Sequence, residues 1–155
     1  MDDRQAMERA LHLAREAADL GEVPVGAVAV KDGQVVGEAF NRRETDRDPL
    51  AHAELLALGQ AARRLGAWRL TGVTLYATLE PCAMCAGALV QSRVSRLVFG
   101  ARDPKAGAVG SLYDLARDAR HNHRVEVAAG LLAEESGALL KEFFRALRER
   151  RETIE

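Results

Sequence analysis

The strongest constraint on the fold of this chain is the alternation of helical and strand-like segments along its 155 residues. Residues 2–20 carry apolar side chains at helical spacing, and two apolar runs then flank Asp32-Gly33, a pair typical of a tight β-hairpin. Helical and β-rich segments alternate from there onwards. The predicted helices are 2–20, 49–65, 81–93, 111–118 and 131–150, and the predicted strands are 25–30, 34–40, 73–79, 96–100 and 124–129.

This order of elements predicts an α/β fold. Strands that are separated by helices need crossover connections, which place neighbouring strands parallel, whereas the opening hairpin is antiparallel. We therefore expect a three-layer α/β/α sandwich around a five-stranded mixed sheet. The length is sufficient for residues 1–155 to form one domain with a proper core.

Composition places the chain among ordinary globular proteins, with 48% hydrophobic and 29% charged residues. No apolar run approaches the roughly 18 residues that a membrane-spanning helix needs. The first ten residues, MDDRQAMERA, are acidic and polar, where a signal peptide would be basic and then apolar. We expect a cytoplasmic protein without a membrane partner. The net charge of -1 neither favours nor excludes binding to nucleic acid.

The two cysteines of the chain, Cys82 and Cys85, follow Pro81 and lie about one helical turn apart. Both sulfurs can therefore face one point, and the start of a helix favours the thiolate form that metals bind. His52 lies in the first turn of the preceding predicted helix. One imidazole and two thiolates make a zinc site whose fourth position is open to water, and zinc acidifies such a water.

Glu54 follows His52 by two residues, and side chains at that spacing in a regular helix point in nearly opposite directions. Both can reach the metal only if His52 lies at the start of the helix. Glu54 is then not a ligand but a catalytic group that takes a proton from the water and passes it to a leaving nitrogen. The combination H-x-E and P-C-x-x-C is typical of zinc-dependent nucleobase deaminases.

Three other uses of the cysteines compete with an open catalytic zinc site. They could form a thioredoxin-like redox pair, although that fold places the motif behind its first strand. They could be buried structural cysteines without a metal. They could also belong to a structural zinc site whose fourth ligand is His121 or His123, although the spacing of these histidines differs from that of zinc fingers.

The resemblance to a known family extends over residues 4–148, well beyond the metal motif. The stretches that carry the resemblance are EVPVGAV (22–28), GEAFNR (37–42), DPLAHAE (48–54), TLEPCAMCAGA (78–88), FGARDPKAGAVGSL (99–112), NHRVEV (122–127) and EFFR (142–145). With these stretches the chain resembles the bacterial tRNA-specific adenosine deaminases, the enzymes of the anticodon wobble position. The stretch FGARDPKAGAVGSL is the most informative, because deaminases of free bases and nucleosides usually lack it.

The resemblance implies a cytidine-deaminase-like fold, hydrolytic deamination of adenosine to inosine in a tRNA anticodon stem-loop, and one Zn²⁺ ion per subunit. It also implies a homodimer in which loops of both subunits shape the RNA site. By position, Asn41 would bind the edge of the flipped base near Val25, Asp103 would bond to a ribose hydroxyl, and Lys105 would lie near phosphate. The residues that would line the surface for splayed loop bases are Asn122, His123, Phe144, Arg145 and Arg148.

The residues themselves leave other interpretations open. Asn41 could close a turn, Asp103 could be a turn carboxylate, and Phe144 could belong to the core. The alternative enzyme is a zinc-dependent deaminase of a free nucleobase or nucleoside such as guanine or cytosine. The alternative from another class is a non-catalytic RNA-binding module stabilised by zinc, which requires four protein ligands.

Overall fold

The structure is a computed structural model that describes residues 1–154. It contains four helices and five strands in these residues, and the strands form one sheet. The three-layer arrangement predicted from the sequence is confirmed. The helices are α1 (Asp3–Asp19), α2 (Ala53–Leu65), α3 (Ala83–Gln91) and α4 (Ala133–Ile154), and the strands are β1 (Gly26–Lys31), β2 (Gln34–Phe40), β3 (Thr74–Leu79), β4 (Arg96–Ala101) and β5 (Glu126–Ala129).

The sheet has the strand order β2-β1-β3-β4-β5 and is mixed. Strand β1 runs antiparallel to both β2 and β3, whereas β4 runs parallel to β3 and β5. Asp32 and Gly33 form the hairpin turn with φ angles of 51° and 75°, the left-handed conformation that Asp-Gly pairs tolerate. The carboxyl ends of β3 and β4 consequently lie side by side, and the connections that leave them meet at one edge of the sheet.

Each face of the sheet is covered by two helices. Helices α1 and α4 pack on one face and contact each other, whereas α2 and α3 pack on the opposite face. Successive strand residues alternate between two apolar clusters, as the period of two in a strand requires. The cluster under α1 includes Met7, Leu13, Val28, Tyr76 and Val98, and the cluster under α2 and α3 includes Ala57, Leu75, Leu89, Leu97 and Phe99. No helix within residues 1–154 is long and apolar enough to cross a membrane.

Two glycines allow helices to approach the sheet closely. A Cβ atom on Gly26 would lie 2.0 Å from the Ala10 carbonyl oxygen of α1, and a Cβ atom on Gly37 would lie 2.3 Å from the Ala57 carbonyl oxygen of α2. Only glycine fits in such contacts, because the opposing atoms belong to a helix backbone and cannot move aside. Helix α2 is thereby held tightly against β2, close to the site described below.

Two sequence predictions about elements are wrong. Helix α2 begins at Ala53 rather than at residue 49, so Pro49 lies outside the helix in a turn. Residues 111–118 form turns and isolated bridges instead of a short helix. The physical reason is that the N–H groups of this region have other partners: Ser111 donates to the Glu80 carboxylate, and Leu115 donates to the Ala108 carbonyl oxygen.

Candidate active site

The predicted metal ligands lie at the starts of two neighbouring helices. His52 is the N-cap residue of α2, and Cys82 is the N-cap residue of α3; both have extended backbone conformations, with ψ angles of 146° and 176°. Cys85 follows in the first turn of α3 and is fully buried. The N-cap residue has a non-helical backbone, so its side chain need not point in the direction of the side chains within the helix. His52 can therefore turn towards the cysteines while Glu54 points inwards from the helix. The expectation that His52 lies at the helix start is confirmed.

The three side chains converge on one point. The Nδ1 atom of His52 lies 3.6 Å from the Cys82 sulfur and 3.5 Å from the Cys85 sulfur. Zinc bonds of about 2.3 Å to sulfur and about 2.0–2.1 Å to nitrogen at a tetrahedral angle would put the two atoms about 3.6 Å apart. The donor atoms are thus spaced as a zinc site requires.

A fourth protein ligand does not join this group among the residues that the structure describes. The candidate metal ligands that cluster there are His52, Cys82 and Cys85, and their donor atoms lie within 4.8 Å of one another. His123, a candidate for the fourth ligand of a structural site, instead places its Nε2 atom 2.7 Å from the Val94 carbonyl oxygen. The arrangement is therefore that of a three-ligand site.

The ionisable side chains of this group alter one another's pKa values. The hydrogen bond from the Cys85 thiol outweighs burial and, together with His52, lowers the pKa of Cys82 to about 3. The same hydrogen bond, burial and the Glu54 carboxylate raise the pKa of Cys85. The bond to Cys82 raises the pKa of His52. Zinc binding requires both cysteines as thiolates and His52 as a neutral imidazole, so a bound ion would displace the protons that these side chains share.

Glu54 lies in the first turn of α2 beside the cysteines and is only 4% exposed. Burial raises the pKa of its carboxyl group, whereas its own backbone N–H and the neighbouring His52 act in the opposite direction. A raised pKa makes the carboxyl group a better proton acceptor. Glu54 thus lies buried beside the predicted metal ligands.

A cavity of about 200 Å³ opens above these groups. Three of the residues that the resemblance assigns to substrate binding, Val25, Asn41 and Asp103, line it. The Asn41 Nδ2 atom donates to the Val23 carbonyl oxygen at 3.1 Å, and its Oδ1 atom accepts from the backbone N–H of Arg43 at 3.1 Å. The cavity lining consists of Val23, Val25, Asn41, Arg43, His52, Ala53, Glu54, Leu79, Glu80, Cys82, Asp103 and Ala106.

Two buried glutamates, which the sequence analysis did not identify, hold the loops at the rim of this cavity. Glu22 is 1% exposed and accepts the backbone N–H groups of Glu44 and Thr45 at 3.1 and 2.7 Å. Glu80 is 2% exposed and accepts donors from residues 103–111. Burial acts to raise the pKa of both carboxyl groups, but the donors outweigh it and hold each pKa below its usual value. Both groups are therefore carboxylates.

Both glutamates have a signal in the sequence. Glu80 is the one charged residue in the stretch TLYATLEPCAMCAGALV, residues 74–90, and Glu22 is the one charged residue in the stretch LGEVPVGAVAV, residues 20–30. A single carboxylate in an apolar stretch is rare unless it has hydrogen-bond donors, so it indicates a local role.

Three further residues assigned by resemblance, Lys105, Asn122 and His123, lie outside the cavity lining. The Lys105 side chain is exposed, and its backbone N–H donates to the Asp103 Oδ1 atom at 3.1 Å. Asn122 is exposed, whereas His123 is half-buried through its contact with the Val94 carbonyl oxygen. These three side chains therefore lie outside the cavity.

The assigned residues of α4 lie on the helix surface. Phe144 is 41% exposed and packs edge-to-face against Phe143, with 5.4 Å between the ring centroids. Arg145 forms ion pairs with Glu142 and Glu149, and Arg148 is exposed. Helix α4 thus presents an aromatic ring and arginines to solvent, and none of them lines the cavity.

Comparison with known proteins gives the family. Residues 1–148 match the MafB19-like deaminase family. A tRNA-specific adenosine deaminase of Bacillus subtilis is 50% identical over 149 residues, which cover 96% of this chain and 92% of that protein.

Two solved structures extend the comparison to the fold. A structure from a study of A-to-I editing by tRNA:A34 deaminases has a TM-score of 0.85 and 44% identity, with 88% of this chain and 99% of that chain covered. A guanine deaminase of Nitrosomonas europaea has a TM-score of 0.78 and 28% identity, with 92% and 84% covered. The fold is therefore the cytidine-deaminase-like α/β fold, and deaminases of different substrates share it. The chain belongs to the tRNA-specific adenosine deaminase family.

Proposed function

We propose that this chain hydrolyses adenosine to inosine at the wobble position of a tRNA anticodon loop. The observation that carries the proposal is the spacing of the His52 Nδ1 atom from the two cysteine sulfurs, 3.6 and 3.5 Å, beside the buried carboxyl group of Glu54. The named relatives support the choice of substrate, because the Bacillus subtilis protein is a tRNA-specific adenosine deaminase.

We assign His52, Cys82 and Cys85 as the ligands of one zinc ion per subunit. One imidazole nitrogen and two thiolates form a borderline-to-soft donor set, which suits zinc better than magnesium or calcium. Zinc bound by three protein ligands supplies Lewis acidity, which lowers the pKa of a water molecule at the remaining position.

Glu54 is the proton carrier of the reaction. It takes one proton from the attacking water and gives it to the ring nitrogen next to the reacting carbon as the new carbon–oxygen bond forms. It then takes the second proton from the resulting hydroxyl group and delivers it to the amino group, which leaves as ammonia when the carbon–nitrogen bond breaks. The water oxygen stays on the carbon and becomes the carbonyl oxygen of inosine. Burial suits this role, because it raises the pKa of Glu54 towards the pH at which proton transfer in both directions is efficient.

The cavity walls supply the recognition of the nucleotide. Asn41 uses one N–H and one lone pair of its amide to bond to the protein, which leaves the second N–H and the second lone pair for the edge of a base. Val25 lies beside Asn41 and supplies an apolar wall. Asp103 accepts two backbone N–H groups at its Oδ1 atom, and its Oδ2 atom is assigned to a ribose hydroxyl of the substrate.

The surface outside the cavity is proposed to hold the rest of the anticodon loop. An exposed aromatic ring can stack on an unpaired base, and arginine side chains suit phosphate groups. The exposed apolar side chains of Leu50, Leu112 and Tyr113 support a homodimer that covers them. A tRNA substrate places the protein in the cytoplasm. The residues assigned to the RNA surface are Lys105, Asn122, His123, Phe144, Arg145 and Arg148.

The direct test is incubation of the purified protein with a transcribed anticodon stem-loop that carries adenosine at the wobble position. We expect inosine, detected as guanosine after reverse transcription, and one ammonia molecule for each adenosine lost. Glu54→Ala is the inactive control, and the exposed Glu135→Gln is the matched carboxylate control that should behave like wild type.

A guanine deaminase has the same fold, so deamination of a free base is the alternative activity. The same assay distinguishes the two activities. Turnover of free guanine or cytosine without inosine in the stem-loop would replace the proposed substrate. Binding of the stem-loop without any release of ammonia would instead identify an RNA-binding module.

A further inference from the structure

Glu80 lies between β3 and α3, two residues before the metal ligand Cys82, and its side chain points away into the loop of residues 102–111. Its Oε1 atom accepts the backbone N–H of Asp103 at 3.0 Å and the hydroxyl of Ser111. Its Oε2 atom accepts the backbone N–H groups of Val109 and Ser111 at 3.0 and 3.1 Å. One buried carboxylate therefore ties the beginning of the loop to its end.

The loop also packs directly on this carboxylate. A Cβ atom on Gly107 would lie 2.3 Å from the Glu80 Cδ atom, so the loop backbone touches the carboxylate with no space between them. The Ala108 N–H adds a bond of 2.8 Å to the Pro81 carbonyl oxygen. The path of the loop is thus defined by contacts around residues 80 and 81, at the end of β3, and not by a helix or strand of its own.

This loop forms one wall of the cavity. Asp103 and Ala106 line the cavity together with Asn41 and Glu54. The Asp103 carboxylate accepts the N–H groups of Lys105 and Ala106, which fixes its side chain relative to the loop backbone. Since the Asp103 N–H is itself bound to Glu80, the position of the Asp103 carboxylate depends on Glu80.

We propose that Glu80 is a positioning residue that fixes the loop of residues 102–111, and with it Asp103, in the geometry that receives the RNA strand beside the target base. The inference rests on the proposed function for the identity of the ligand. Glu80 acts through the loop and does not touch the reacting atoms, so it governs binding of the RNA more than the chemical step.

Only a carboxylate fits this position. All four partners are donors, and an ionised carboxylate offers acceptors alone. Glutamine has nearly the same shape but would point an N–H group at the N–H group of Asp103 or at those of Val109 and Ser111. Buried donors would then lose their partner, and the loop would leave its position to find water.

The test compares wild type with Glu80→Gln for metal content, for kcat and KM on the anticodon stem-loop, and for the Kd of the stem-loop in a Glu54→Ala background. We expect KM and Kd to rise about tenfold while kcat stays within about threefold and metal content stays at one ion per chain. Unchanged KM and Kd would overturn the proposal. A fall in kcat in proportion to lost metal, with KM unchanged, would overturn it too, because Glu80 would then support only the metal site.

Two further variants keep the test decisive. Gly107→Ala retains every donor and the carboxylate but pushes the loop off Glu80, and it should raise KM and Kd in the same way. Ser111→Ala removes one donor and should raise both by about two- to threefold. If Glu80→Gln does not fold, these two variants decide, and wild-type KM and Kd values in both would refute the proposal.

Failure of the proposed function would look different. A wild-type chain that bound the stem-loop but formed no inosine would refute the proposed function, while the Kd comparison would still report on Glu80. A surface control, Glu135→Gln, should match wild type in every readout.

Discussion

The floor and the rim of the cavity are built in different ways. The floor consists of His52, Cys82 and Cys85, which lie at the starts of two helices that the sheet holds in register. The rim consists of two loops, residues 41–51 and 102–111, which have no regular structure and are each held by one buried glutamate. The geometry of the floor therefore depends on secondary structure, whereas the shape of the rim depends on single carboxylates.

The largest effect is expected from the floor. Cys85→Ala removes one of three ligands, so we expect the purified variant to lose its zinc and more than about 10³-fold in kcat/KM. Metal content is measured by mass spectrometry alongside inosine formation. Met84→Leu, between the two cysteines, keeps both thiols and nearly the same volume, and it should retain zinc and activity. A Cys85→Ala protein with one zinc ion per chain would show that Cys85 is not a ligand and would contradict the description of the floor.

The next effect is expected at Glu54. Glu54→Ala removes the proton carrier but no ligand, so zinc content should stay at the wild-type level while kcat falls by about 10²–10⁴-fold. Single-turnover rates on the anticodon stem-loop measure the loss without a contribution from product release. Substantial residual turnover in this variant would contradict the shuttle role of Glu54.

A smaller and different effect is expected at the rim. Glu22→Gln leaves the N–H groups of Glu44 and Thr45 without a carboxylate acceptor, which loosens the loop that follows Asn41. We expect KM for the stem-loop to rise by about three- to tenfold, with zinc content unchanged. Loss of zinc together with unchanged KM would show that this rim loop supports the floor instead of the substrate.

The sequence predicted the two cysteines of the floor because their spacing is local, and it predicted His52, 30 residues before Cys82, because the combination H-x-E and P-C-x-x-C is typical of zinc-dependent deaminases. Two cysteines three residues apart at a helix start face one point whatever the rest of the fold does, and His52 needs only to begin the neighbouring helix. The alternation of segments likewise predicted the layers and the mixed sheet, because periodicity reports which face of an element is buried.

The rim could not be predicted in the same way. Glu80 bonds to backbone N–H groups 23 to 31 residues away, and bonds to the backbone require no particular residue type at the other end. The wrong helix at 111–118 has the same cause: Leu112, Leu115 and Ala116 have helical spacing, but neighbouring N–H groups are already bound to Glu80 and to loop carbonyl oxygens. Hydrogen bonds to distant residues therefore prevent residues 111–118 from forming the helix that their apolar spacing predicts.

The smallest effect is expected at the ion pair between Asp3 and Arg96, away from the cavity, and it concerns stability. Asp3 accepts a pair of bonds from Arg96 and one from the Tyr76 hydroxyl, and these lower its pKa from 3.8 to about 2. Because the folded pKa lies below the unfolded one, the stabilisation is fully present above about pH 4 and is lost as the pH falls towards 2. The side chain is partly exposed, so we expect less than about 1 kcal/mol.

Urea unfolding of wild type and Asp3→Asn at several pH values tests whether the stabilisation by Asp3 is lost as the pH falls. The variant should be less stable at about pH 6, and the difference should shrink at about pH 3, while zinc content and kinetics stay unchanged. A difference that grows on acidification would mean that the assignment of the ion pair is wrong.

X-ray absorption at the zinc edge of the purified protein tests the three-ligand zinc site directly. We expect one zinc ion per chain with two sulfur ligands at about 2.3 Å and two nitrogen or oxygen ligands at about 2.0–2.2 Å, one of them exchangeable. A spectrum without two sulfur ligands, or a site closed by four protein groups, would contradict it.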